Sequence, residues 1–214
     1  MAKSTRKELL SPTDEFITAT SSLLNWIKEN PTRFISIVVV VAVLFISGFG
    51  FYSWKTHRED TAMVAFIEAF EDPAKTLEIA QSYANTRAGK LAKLRLARMA
   101  YSQGDSAMAV SHAEDFINKW GRQDMFYWNA VLIMSLAYME QNAFDTSLAL
   151  LEKCIRNGPD VIRDQALFYK ATASISQGKN EEAAEALKTI SGWFRDIALV
   201  TLPVENTTET QNAE

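Results

Sequence analysis

The sequence predicts an all-α protein made of one N-terminal transmembrane helix and a helix-turn-helix repeat domain. Residues 34–54 contain no charged side chain. Beyond them, apolar residues recur at helical spacing and few strand signals occur. Turn-forming residues divide that region into short helices, and three of the turns recur at a nearly constant interval. These three observations predict the fold class.

Residues 1–33 are predicted to form a cytoplasmic tail that contains an amphipathic helix. The tetrapeptide Ser-Pro-Thr-Asp at 11–14 has the pattern of a capping box with proline in the first turn, so a helix is expected to begin there. Pro31 is expected to end it. The apolar residues share one side, as in a helix that lies in the membrane interface with Trp26 at headgroup depth. The alternative is a loosely ordered tail.

Residues 34–54 match a lipid bilayer in length and composition. At 1.5 Å per residue the run spans about 31 Å. A buried core helix of this length needs a polar face, and only Ser36, Ser47 and Ser53 supply one. A cleaved signal peptide is disfavoured, because residues 1–33 precede the run and no A-x-A site follows it. We therefore expect a retained transmembrane helix, with the lipid bilayer as its partner.

Basic residues flank this run unequally. Those before it are Lys3, Arg6, Lys7, Lys28 and Arg33. Close behind it there are only Lys55 and Arg58. Because positive residues favour the cytoplasmic side, the N-terminus is predicted to be cytoplasmic. In a Gram-negative bacterium, the C-terminal domain then faces the periplasm.

Residues 55–200 are predicted to form the repeat domain, and residues 201–214 a polar, disordered tail. The predicted breaks between helices are at 72–73, 85–89, 103–105, 120–122, 141–143, 157–159 and 177–179. Short loops of this kind join antiparallel helices.

Three of these turns repeat in register. Gly104, Asn142 and Gly178 are 38 and 36 residues apart, and glycine and asparagine suit a left-handed turn. The same offsets align small residues on both sides of each turn: Ala97, Ser135 and Ala171 before it, and Ala109, Ser147 and Ala183 after it. Small residues allow antiparallel helices to approach closely, so the pattern indicates a helix-turn-helix repeat. The alternative is an irregular bundle with accidental spacing.

The middle unit resembles the tetratricopeptide repeat. It has the aromatic Tyr138, a tight turn at 142–145, the small Ser147 and a closing Pro159. The intervals exceed the usual 34 residues of that repeat, so longer loops are expected. Residues 62–84 are expected to supply a capping helix or a degenerate first repeat.

The order of the parts resembles a bacterial inner-membrane family of tetratricopeptide-like proteins that includes the ancillary subunit of the Sec translocon. Trp-Ile-Lys-Glu-Asn at 26–30, the apolar run and the alanine-rich segment 91–100 carry the resemblance. It implies a single-pass protein of the inner (cell) membrane with a periplasmic domain that associates with the translocon and with periplasmic chaperones. The juxtamembrane segment is longer than this family leads us to expect.

Several function classes lack support in the sequence. The net charge of −4 and the pI near 5.4 supply no electrostatic footprint for nucleic acid. No nucleophile elbow, Walker loop, H-E-x-x-H or paired-cysteine motif occurs, so we expect no enzymatic activity, catalytic residue, cofactor, metal or small-molecule substrate. His57 is expected in a solvated collar, His112 in a surface or packing role, and Cys154 as a small buried side chain. The aromatic group 126–128 is expected to pack between repeats, with a ligand platform as the alternative.

The predicted functional site is a protein-binding groove. In tetratricopeptide-like repeats the first helix of each pair lines the concave face, so its residues away from the contact within the pair are expected in the groove. The set comprises Leu94, Arg98, Tyr101, Asn129, Leu132, Leu136, Met139, Gln165, Phe168 and Thr172. It is mainly apolar, which suits an apolar segment better than a charged peptide. The alternative is that some of these residues are core.

We therefore expect a membrane-anchored protein-interaction module that assists protein translocation or chaperone handover next to the Sec translocon. The rival expectation is a structural or assembly subunit of another membrane complex.

Overall fold

A computed structural model describes residues 12–70, 72–191 and 195–196, with side chains from residue 20 onward. Within these ranges every regular element is an α-helix. The helices are α1 (Pro12–Glu29), α2 (Pro31–Glu68), α3 (Pro73–Ser82), α4 (Arg87–Ser102), α5 (Ser106–Trp120), α6 (Met125–Glu140), α7 (Phe144–Asn157), α8 (Asp160–Ser176) and α9 (Asn180–Thr189). The chain divides into two compact units, Met1–His57 and Arg58–Glu214. The predicted tail 201–214 and residues 1–11 lie outside the described residues.

The N-terminal unit begins with the predicted short helix. α1 ends at Glu29, directly before Asn30, and the backbone amide of Asn30 still donates to the Trp26 carbonyl at 2.9 Å. α2 then starts at Pro31, a residue suited to the first turn of a helix because its missing N–H is not needed there. Pro31 therefore separates the two helices, as its position in the sequence predicts.

α2 is long and apolar enough to cross a membrane. Its most apolar window has a mean hydropathy of 2.7, and no residue in that window is buried. The exposed fractions of Leu44, Phe45 and Ile46 are 67%, 77% and 72%. These exposures exclude a buried core helix. The helix continues past the predicted end of the span at residue 54, because residues 55–68 contain neither glycine nor proline.

The C-terminal unit is an array of antiparallel helices in two rows. Each helix from α3 to α8 packs on the next one in the chain, and α4 also packs on α6, as α6 does on α8. Within the described residues α5 does not pack on α7, nor α7 on α9. α4, α6 and α8 therefore form one continuous layer. The predicted breaks all fall at or next to helix ends.

The three aligned turns have the same geometry. Gly104, Asn142 and Gly178 have φ angles of +78°, +59° and +72°, in the left-handed region. At the first turn the Gly104 amide donates to the Tyr101 carbonyl at 3.0 Å, and the next amide donates to the Ala100 carbonyl at 2.9 Å. The corresponding distances are 3.0 and 2.9 Å at the second turn, and 2.9 and 2.9 Å at the third. This confirms the predicted turn conformation.

The six aligned small residues are fully buried. Their exposed fraction is 0% at Ala97, Ser135, Ala171, Ala109, Ser147 and Ala183. Cys154 is also buried, as predicted, and burial raises the pKa of its thiol to about 12. Of the aromatic group 126–128, Tyr127 and Trp128 are buried at 8% and 2% exposure, as a packing role requires, whereas Phe126 is 38% exposed.

The end of α2 and the residue after it pack on α3 and α4 through a second set of contacts. Ala65, Phe66 and Ala69 pack in a small core with residues of α3 and α4. The Arg95 guanidinium donates to the carbonyls of Phe66 (2.8 Å) and Ala69 (3.2 Å), and it lies 3.6 Å from the centre of the Phe66 ring. Arg95 thus supplies a donor to the Phe66 carbonyl near the C-terminus of α2, and it shares the Ala69 carbonyl with the Thr76 hydroxyl, which donates at 3.1 Å.

Candidate protein-binding surface on helices α4, α6 and α8

One face of each helix in the α4–α6–α8 layer is left uncovered, and the same face is uncovered in all three. We call it the three-helix face. Its residues on each helix are spaced by four, seven and four positions, which keeps them within about 60° around the axis. The residues are Arg87, Leu91, Arg98 and Ser102 on α4; Met125, Asn129, Leu136 and Glu140 on α6; and Val161, Gln165, Thr172 and Ser176 on α8. All twelve are exposed or half-buried.

The exposure pattern repeats in rows across the three helices. Arg87, Met125 and Val161 form one exposed row, related by the offsets of 38 and 36 residues. In the next row, all three residues are half-buried: Leu91, Asn129 and Gln165. In the row at the turn end, all three are exposed: Ser102, Glu140 and Ser176. The face therefore follows the same register as the turns and the small residues.

The chemical character of the face changes from one helix to the next. α4 contributes the guanidinium groups of Arg87 and Arg98. α6 contributes Met125, which is 42% exposed, and the half-buried Leu136. On α8, Val161 is 48% exposed. The surface is thus basic at α4, mixed at α6 and mainly polar at α8, where Gln165, Thr172 and Ser176 follow Val161.

Glu140 contributes the face's acidic side chain, and it is held by neighbouring helices. The Ser106 hydroxyl of α5 donates to the Glu140 carboxylate at 2.5 Å. The Tyr101 hydroxyl also hydrogen-bonds this carboxylate, and burial together with the Glu140 charge raises the pKa of Tyr101 to about 12. Tyr101 therefore stays protonated and able to donate. These contacts tie α4, α5 and α6 together at the turn end of the face.

Five of the ten residues predicted for the groove belong to this face: Arg98, Asn129, Leu136, Gln165 and Thr172. Leu94 and Leu132 do not, because they are 6% and 4% exposed and lie in the main hydrophobic core. The expectation that they line an open groove is thus corrected. α6 packs on α4 and can cover Leu94, and α8 packs on α6 and can cover Leu132. In α8 the equivalent Phe168 is half-buried.

The remaining predicted residues lie beside the face. Tyr101 and Met139 are half-buried and pack against the main core. Conversely, the sequence-based prediction omitted Arg87, Met125 and Val161, although the offsets of 38 and 36 residues connect them. Extending the repeat register toward the start of each first helix identifies all three.

A separate apolar cavity lies outside the three-helix face. It has a volume of about 300 Å³ and is lined by residues of α3, α4 and α5, among them Leu77, Met99 and Met108. His112 lies in its wall, and burial, together with the charge of Lys93, lowers the pKa of this imidazole. His112 thus occupies the partly packed position expected from its place in the repeat.

No group of three or more potential metal ligands occurs among the residues whose placement is described. No protein-family model matches the sequence, and no curated protein or solved structure is significantly similar to it.

Proposed function

We propose that this chain is a membrane-anchored protein-interaction module whose three-helix face binds a segment of another protein. The observation that carries this proposal is the uncovered face that recurs, row by row, in α4, α6 and α8. An all-helical array gains stability by burying side chains between neighbouring helices. A face that stays open in three successive units forms a continuous surface suited to an extended ligand.

We further propose that the helix pairs are tetratricopeptide-like repeats. The identical left-handed turns support this, as do the fully buried small residues on both sides of each turn. The packing of α4 on α6 and of α6 on α8, the first helices of successive pairs, also supports it. A layer whose helices pack on one another is expected on the concave side of a curved array.

The proposed location is the inner membrane of a bacterium, with a cytoplasmic N-terminus and a periplasmic repeat domain. The apolar α2 supports a single membrane span, and the excess of basic residues before it supports the orientation. Together with the family resemblance of residues 26–30 and 91–100, these features favour a role in protein translocation or chaperone handover beside the Sec translocon.

Site-specific photo-crosslinking of the full-length protein in membranes tests this function. A photoreactive residue at Leu136 or Thr172 should form adducts with translocon subunits or periplasmic chaperones, identified by mass spectrometry. The matched controls are Ser111 on α5 and Ala149 on α7, both exposed and both outside the face. Equal adducts from all four positions, or none from the first two, would contradict the proposal.

A structural or assembly subunit of a membrane complex is the second candidate. The observation that favours it is the exposure of Val64, Ile67 and Phe70, which are 56%, 64% and 69% exposed beyond the predicted span. A partner that binds there should co-purify with residues 1–70 alone. If it co-purifies only with the full chain, the repeat helices make the essential contact.

A further inference from the structure

Helix α4 concentrates positive charge in a chain that is acidic overall. It contains five basic residues and no acidic one, whereas the whole protein carries a net charge of −4. Lys93 is neutralised by Asp115 on α5 at 3.2 Å. Arg95 is occupied by the carbonyls at the end of α2. The other basic side chains of α4 are not neutralised in this way.

Two of these remaining cations lie on the three-helix face. The side chains of Arg87 and Arg98 are exposed, and neither forms an ion pair with any residue in the described part of the chain. They are about 20° apart around α4 and about 16 Å apart along it. One carboxylate cannot reach both, so each guanidinium begins a separate row of the face.

In both rows the basic side chain on α4 is followed by an apolar side chain on α6. Arg87 is followed by Met125 on α6 and Val161 on α8. Arg98 is followed by Leu136 on α6, with Thr172 beyond it. Packed helices are separated by about 8–10 Å, and an extended chain advances about 3.3 Å per residue. A bound extended segment therefore moves from one helix to the next in about three residues.

We propose that the three-helix face binds an extended partner segment with a carboxylate against α4 and an apolar side chain, about three residues away, against α6. This rests on the proposed protein-binding function and specifies the chemistry of the partner. The arginine fork pairs with a carboxylate through two hydrogen bonds, and the apolar side chain supplies burial. It also replaces the sequence-based expectation that an apolar segment is favoured over a charged peptide, because Leu94 and Leu132 are core.

A random 12-residue peptide library, presented to the full-length protein in detergent micelles, tests the inference. Enriched peptides should carry Asp or Glu about three residues from an apolar residue. The double variant Arg87→Glu, Arg98→Glu should shift the preference from acidic to basic residues. For an enriched peptide, Arg98→Glu should raise Kd by about tenfold or more. The control Lys188→Glu changes an exposed cation on α9 and should leave Kd unchanged.

The outcomes separate the inference from the proposed function. Enriched peptides without an acidic preference, whose binding is lost in Leu136→Asp, would overturn the charge assignment and leave the binding face intact. Enrichment that depends on no residue of the three-helix face, or no enrichment at all, would overturn both. Near-UV circular dichroism of each variant shows that the repeat helices remain folded.

Discussion

Ser147 provides a direct test of the repeat packing. It is 0% exposed, and its hydroxyl has no hydrogen-bond partner within the described structure. The aligned residues in the other two units are Ala109 and Ala183, also 0% exposed. The position therefore accommodates a small side chain but offers nothing for a hydroxyl group to bind. We predict that Ser147→Ala stabilises the protein.

The magnitude follows from the desolvated hydroxyl. A buried polar group without a partner costs about 1–3 kcal/mol, and alanine exceeds serine in helix propensity by at most about 0.7 kcal/mol. The free energy of unfolding should therefore rise by about 1–3 kcal/mol. In a protein of this size each kcal/mol raises the melting temperature by about 2–4 °C. The reciprocal change, Ala109→Ser, should lower the stability by a similar amount.

Ser135 supplies the matched control. It is equally buried, but its hydroxyl donates to the Leu132 carbonyl at 2.7 Å, so Ser135→Ala should give no comparable gain. Thermal unfolding of the full-length protein in micelles, followed by fluorescence of the buried Trp120 and Trp128, measures all three variants. If Ser147→Ala is destabilising, or if it matches Ser135→Ala, the reasoning from the unpaired hydroxyl is refuted.

Four further predictions follow from the fold. Ala171→Leu should overpack a fully buried contact and lower the stability by about 1–3 kcal/mol in the same unfolding assay; an unchanged melting temperature would contradict the register. Arg95→Lys retains the charge but loses the planar guanidinium, whose Nη1 donates to both carbonyls, so amide hydrogen exchange should accelerate near Phe66, and unchanged exchange would contradict the capping role. Burial and then the Lys93 ammonium group lower the pKa of His112. The contribution of this imidazole to stability is therefore present above about pH 6.5 and is lost as the pH falls below that value. His112→Gln should flatten this pH dependence in melting temperatures measured from about pH 7.5 to 5. A reporter that is active only outside the cytoplasm, fused after Glu214, should be active, whereas activity of a cytoplasmic reporter instead would reverse the proposed orientation.

The breaks between helices were predictable from the sequence because their signals are local. A residue that favours the left-handed conformation, placed between two segments of helical periodicity, marks a turn without knowledge of the tertiary structure. Gly104, Asn142 and Gly178 are such residues. The apolar composition of residues 34–54 likewise predicts a candidate span directly. The continuation of α2 to Glu68 was not predicted, since bilayer thickness limits the span but not the helix.

The binding face was only partly predictable because burial depends on distant helices. Leu94 and Arg98 are one turn apart on α4, yet Leu94 is core and Arg98 is exposed. The difference arises from the packing of α4 on α6, which joins residues far apart in the chain. The role of Arg95 was equally hidden, because it depends on carbonyls of α2 at residues 66 and 69.

The three-helix face and the helix crossings are therefore separable by mutation. The crossings hold fully buried small residues, where one added methyl group or hydroxyl changes the free energy of unfolding. The face holds exposed side chains such as Arg98, whose substitution should change stability by no more than about 0.5 kcal/mol. A variant of Arg98 that loses peptide binding at an unchanged melting temperature thus reports on recognition alone. A variant of Ala171 that loses both reports on the scaffold that positions the face.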